Sequence, residues 1–78
     1  MIVKVETERF YGSDKVGEFE TNNTDTEEII NDFYDFICGK YPSCDFATLN
    51  EQHYVNCICL KVSCDDENYA EEYFYLNY

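Results

Sequence analysis

The sequence predicts an α+β fold: a single helix packed on a largely antiparallel sheet, in the order ββαβββ. Three observations carry that expectation. Residues 2–10 and 53–63 alternate apolar and polar side chains with the period of two of a half-buried strand. Residues 25–39 space their apolar side chains with the 3.6-residue period of a helix. Turn residues at Tyr11-Gly12-Ser13-Asp14 and a polar stretch at 65–68 separate the remaining short runs.

In chain order, Val3 and Val5 point to one side of the first strand, and Lys4, Glu6 and Glu8 to the other. Residues 15–21 form its hairpin partner, with Phe19 inward and Glu18 and Glu20 outward. After Asn22-Asn23, the run Thr24-Asp25-Thr26-Glu27 fits a capping box, in which Glu27 reaches back to the Thr24 amide. Ile29, Ile30, Phe33, Phe36 and Ile37 gather on one helical face, and Asp25, Glu28, Asp32 and Asp35 on another. Gly39 reads as a left-handed cap, and Pro42 blocks continuation. Residues 45–50 form a weaker strand around Phe46, Thr48 and Leu49, followed by a turn at Asn50-Glu51-Gln52. The strongest strand, 53–63, sets Tyr54, Ile58, Leu60 and Val62 on one face and Val55, Cys57, Cys59 and Lys61 on the other. Asp65-Asp66-Glu67-Asn68 is a polar loop, and residues 71–78 are a tyrosine-rich final strand.

With 78 residues, the chain is expected to form one domain, with no linker or repeat. Six Phe and eight Tyr supply enough large apolar surface to fill a small core. The charge is more unusual: 17 acidic against 5 basic residues, a net charge of −12. Phosphates and anionic membrane surfaces are repelled by such a chain, so direct nucleic-acid and membrane binding are not expected. Residues 1–9 are too polar for a secretory leader, and no apolar run is long enough for a membrane span. Five cysteines, an odd number, then read as reduced thiols in a cytoplasmic protein.

No catalytic motif is present. The three glycines are isolated, so no phosphate loop is formed, and nothing places a thiol or an orienting group beside the single His53. Cys57-x-Cys59 and Cys64, with Cys38, Cys44 and His53, form a loose set of soft donors that lacks the paired spacing of a zinc knuckle. A small zinc- or thiol-dependent structural domain is the alternative reading; the leading one expects no cofactor. Asp65-Asp66-Glu67 lacks the alternating ligands and glycine of a calcium loop.

The carboxylates themselves form rows. Glu6 and Glu8 lie on one strand and Glu18 and Glu20 on its neighbour, about 6.8 Å apart along a strand and about 4.8 Å between strands. Asp25, Glu28, Asp32 and Asp35 form a helical row, and Asp65, Asp66 and Glu67, with Glu71-Glu72, a third cluster. The charge spacing is of the order of a phosphate backbone, one per about 3.4 Å for a single strand of a duplex. Tyr73, Tyr75 and Tyr78 cannot all face inward on one strand, and tyrosine suits an interface. The expected surface thus comprises Glu6, Glu8, Glu18, Glu20, Asp25, Glu28, Asp32, Asp35, Asp65, Asp66, Glu67, Tyr73 and Tyr75.

In its acidity, small size, compact α+β layout and surplus tyrosines, the chain resembles small phage-encoded inhibitors of the anti-CRISPR and anti-restriction DNA-mimic type. The resemblance spans the whole chain as composition, without a shared motif, so it assigns no individual residue. It implies a non-enzymatic inhibitor, monomeric or a small homo-oligomer in the host cytoplasm. Its expected partner is a basic nucleic-acid-binding protein such as a CRISPR effector.

Overall fold

A computed structural model describes residues 1–7, 14–42, 44–66 and 69–78. Five strands and one helix follow in the expected order: β1 (Ile2–Thr7), β2 (Asp14–Glu20), α1 (Thr26–Lys40), β3 (Phe46–Tyr54), β4 (Cys57–Asp66) and β5 (Tyr69–Asn77). The strands form one antiparallel sheet in the spatial order β2-β1-β5-β4-β3. Four antiparallel steps separate the two edges, so β2 and β3 run the same way, and α1 is the crossover between them.

Alternation decides what the helix covers. Val3 and Val5 on β1, Ile58, Leu60 and Val62 on β4, and Phe74 and Leu76 on β5 are fully buried on one face. Ile29, Ile30, Phe33 and Ile37 of α1 close over them. The Phe33 ring lies 5.3 Å from that of Phe74, which in turn meets Phe46 edge-on at 6.5 Å. A five-stranded sheet is about 19 Å wide and a helix about 10 Å across, so one helix cannot cover the whole sheet. The edge strand β3 is accordingly exposed from Ala47 to Tyr54. No helix among the described residues is long and apolar enough to cross a membrane.

Several local expectations are corrected. The N-cap of α1 is Asp25, in an extended conformation and with no side-chain capping bond, so the Thr24–Glu27 box is not formed. The entry is held instead by Asp32, whose Oδ2 accepts hydrogen bonds from Thr21 Oγ1 and from Asn23 Nδ2 (2.9 Å). Gly39 lies within the helix, which runs on to Lys40 and ends where Tyr41 N–H bonds to Ile37 O at 2.9 Å. Phe36 is half-buried against Phe19 at the rim of the core, with ring centroids 5.5 Å apart. The hairpin turn is Val55-Asn56 rather than 50–52, and pairing runs unbroken from Tyr54↔Cys57 to Asn50↔Lys61. Tyr54 therefore belongs to β3 and shares the outer face with Cys57, not the inner face with Ile58. Asp65 and Asp66 belong to β4 rather than to a loop. The expected turn at 11–14 lies outside the described residues up to Ser13, and Asp14 already belongs to β2.

Candidate functional site: two opposed acidic surfaces

The expected surface residues divide between the two sides of the molecule. On the helix-free face of the sheet, strand register sets Glu18, Lys4, Asn77, Cys57 and Tyr54 in one row and Glu6, Tyr75, Cys59 and Gln52 in the next. Tyr73 follows beside Lys61, whose ammonium lies 5.8 Å from the Tyr73 ring centroid. Thus Glu6, Glu18, Glu20, Tyr73 and Tyr75 do share one face. Cations interrupt it, however: Lys4 stands opposite Glu18, and Lys61 pairs with Glu71 at 3.3 Å. Glu6 and Tyr75 are also half-buried. This face is mixed in charge rather than a negative lattice.

The helical row lies on the other side. Asp25, Glu28 and Asp35 are exposed as expected; Glu27 is exposed too, but on the side of the helix toward β3. Asp32 departs from the expectation: its carboxylate is engaged in bracketing Thr21 and Asn23, and those hydrogen bonds hold its pKa below the usual aspartate range. Asp25, Glu28 and Asp35 share one side of the helix and span about 15 Å of its axis, one per roughly 5–7 Å. Residues 25–35 contain no Lys or Arg. The nearest in sequence, Lys40, directs its ammonium to Val16 O and lies 5.8 Å from the Phe36 ring centroid.

The third expected cluster lies largely outside the described side chains. Glu8 and Glu67 lie outside the described residues, and Asp65 and Asp66 are placed by backbone alone. Glu72, grouped with Glu71 in the sequence, points inward and is only 1% exposed; its Oε1 accepts the Tyr73 N–H at 3.0 Å. Alternation from Phe74 and Leu76 fixes that direction.

Sequence reasoning missed a groove of about 260 Å³ between α1 and β3, lined by Glu27, Ile30, Asn31, Tyr34, Thr48 and Glu51. The Tyr34 hydroxyl hydrogen-bonds Thr48 Oγ1. Burial, with a smaller contribution from the Glu51 charge, pushes the Tyr34 phenol above its ordinary pKa. Glu51 also meets His53 at 3.2 Å. The groove went unseen because Asn50-Glu51-Gln52 has the composition of a turn; an edge strand needs no apolar alternation.

Cys38 and Cys57 are free thiols. Burial and the Glu6 charge raise the Cys57 thiol pKa, which keeps it protonated. Among the described residues, no three His, Cys, Asp or Glu side chains lie together as a metal site would require. Comparison of the chain with protein families, curated proteins and solved structures finds no match.

Proposed function

We propose that the protein is a non-enzymatic binding module that inhibits a nucleic-acid-processing protein by occupying its basic, nucleic-acid-binding surface. A CRISPR or restriction effector is the class of partner that its size and acidity suit. The observation that carries this reading is the row of exposed carboxylates at the start and along one side of α1, Asp25, Glu28 and Asp35, in a segment, 25–35, that contains no Lys or Arg. Its charge spacing is of the same order of magnitude as that of one strand of a duplex, and clustered Arg and Lys side chains are attracted to both. The sheet face is the weaker candidate, because Lys4 and Lys61 offset its carboxylates locally.

The test has two steps. The protein is first used to capture a partner from cells that contain CRISPR and restriction systems. The captured partner is then assayed for one-to-one binding and for loss of its DNA or RNA as the protein is added. Displacement of nucleic acid supports the reading. A partner that retains its nucleic acid in a ternary complex argues against mimicry.

A further inference from the structure

We infer that the free edge of β3 is a docking strip for an extended, basic segment of the partner, which joins the sheet as a sixth strand. This rests on the reading of the protein as a binder of a basic partner, and it adds how that partner is held.

The two sheet edges differ. On β2, the ladder is broken by a bulge around Gly17, and the Val16 carbonyl is already taken by the Lys40 ammonium. On β3, no Lys, Arg or Pro occurs in the nine residues Phe46–Tyr54, although cationic side chains and proline are common guards of a sheet edge. Among the described residues, β3 pairs only with β4. In an antiparallel ladder, every second residue turns its N–H and C=O away from its partner, so one side of β3 presents backbone donors and acceptors outward. One bulge, between Thr48 and Asn50, sets Leu49 outside the register. Beyond it, Asn50–Tyr54 is regular and offers about 17 Å of edge, enough for a short strand to pair.

Chemistry on the two sides of this edge selects the occupant. Toward the helix lies the groove with the Glu27 and Glu51 carboxylates. Toward the outer face lie Asn50, Gln52 and Tyr54, with the Tyr54 hydroxyl donating to Gln52 Oε1 at 2.8 Å. An added strand alternates its side chains between these sides. On the helix side an added strand therefore meets Glu51, which also contacts His53 at 3.2 Å, and Glu27 across the groove, which favours an Arg or Lys there, and its intervening residues meet an amide and phenol strip. A second copy of this chain would bring a charge of −12 against −12, which disfavours self-pairing and favours a cationic strand.

The probe is a synthetic peptide alternating Arg and Thr, with an alternating Glu and Thr peptide of equal length for comparison. Two further Arg–Thr peptides are N-methylated, one at the Arg amides and one at the Thr amides, which leaves charge unchanged. Amide exchange and chemical shifts of Asn50–Tyr54 report binding. The Arg–Thr peptide is expected to protect these amides and to leave β2 unaffected. In strand addition only one set of peptide amides faces β3, so one methylated peptide should bind about tenfold more weakly and the other nearly as well as the parent. Charge reversal by E51K should weaken the parent peptide. Equal binding by both methylated peptides overturns strand addition while leaving charge mimicry standing. No protection by the Arg–Thr peptide, or equal protection by the Glu–Thr peptide, also overturns it. Concentration-dependent protection of β3 without peptide would assign the edge to a second copy and overturn it as well.

Discussion

The β2 edge is closed by three side-chain and backbone features that meet at Gly17, and G17A tests that arrangement directly. Gly17 has φ +153°, a conformation that L side chains rarely adopt. A Cβ there would lie 3.0 Å from Phe36 Cζ and 3.4 Å from Lys40 Nζ. The backbone penalty is about 1–2 kcal/mol, and displacing the half-buried Phe36 ring from Phe19 adds about 1 kcal/mol. Together, a loss of about 2–3 kcal/mol lowers the melting temperature of a domain this size by about 10–20 °C. Thermal and urea unfolding of wild type, G17A, F36A and the double variant separate the two contributions. The double variant should recover the steric part and keep the backbone part, giving a measurable coupling between the sites. A G17A melt within about 2 °C of wild type would refute both the strained backbone and the close packing of Phe36.

Other perturbations probe the remaining features. Asp32 has a depressed pKa in the folded state, so its contribution is present above the usual aspartate range and lost as pH falls through the folded value. D32N should melt below wild type at about pH 6, and the two melts should converge by about pH 2. Y34F removes the hydroxyl that bonds Thr48, and urea unfolding should show a loss of about 1 kcal/mol. Alkylation followed by mass spectrometry should find Cys57 slower to react than the exposed Cys38, because burial and Glu6 keep the Cys57 thiol protonated. Melts with and without reductant should nearly coincide, whereas a fall of more than about 5 °C on reduction would reveal a stabilising disulfide.

The fold class was legible because the core elements follow simple periods. Ile58, Leu60 and Val62 alternate with polar or small residues, and Ile29, Ile30, Phe33 and Ile37 recur at helical spacing; each set is buried. Legibility failed where tertiary contacts override local composition. Thr24–Glu27 has the residues of a capping box, yet Asp32, seven residues into the helix, bonds the incoming chain at Thr21 and Asn23. Asn50-Glu51-Gln52 has turn composition, yet hydrogen bonding to β4 keeps it extended, and the turn falls at Val55, 90% exposed, and Asn56, whose carbonyl accepts the Tyr78 N–H at 3.1 Å. For the candidate surface, the sequence identified the carboxylate rows but not which side of the molecule each occupies. Nor did it show that Lys4 and Lys61 fall among the sheet carboxylates, in contrast to the helical segment 25–35, which has no Lys or Arg of its own.

That asymmetry makes the association rate with the captured partner the most direct measurement. The rate is read at two ionic strengths for wild type, for E28K with D35K, and for E18K with E20K. Long-range attraction between opposite charges acts mainly on association and is screened by salt. Reversal on the helix should slow association about tenfold or more, flatten its salt dependence and weaken competition with nucleic acid. Reversal on the sheet should have the smaller effect. A helix-reversed variant that folds, associates and competes like wild type would contradict the assignment of the α1 face, and if the sheet-reversed variant did the same, the acidic surface would serve solubility alone.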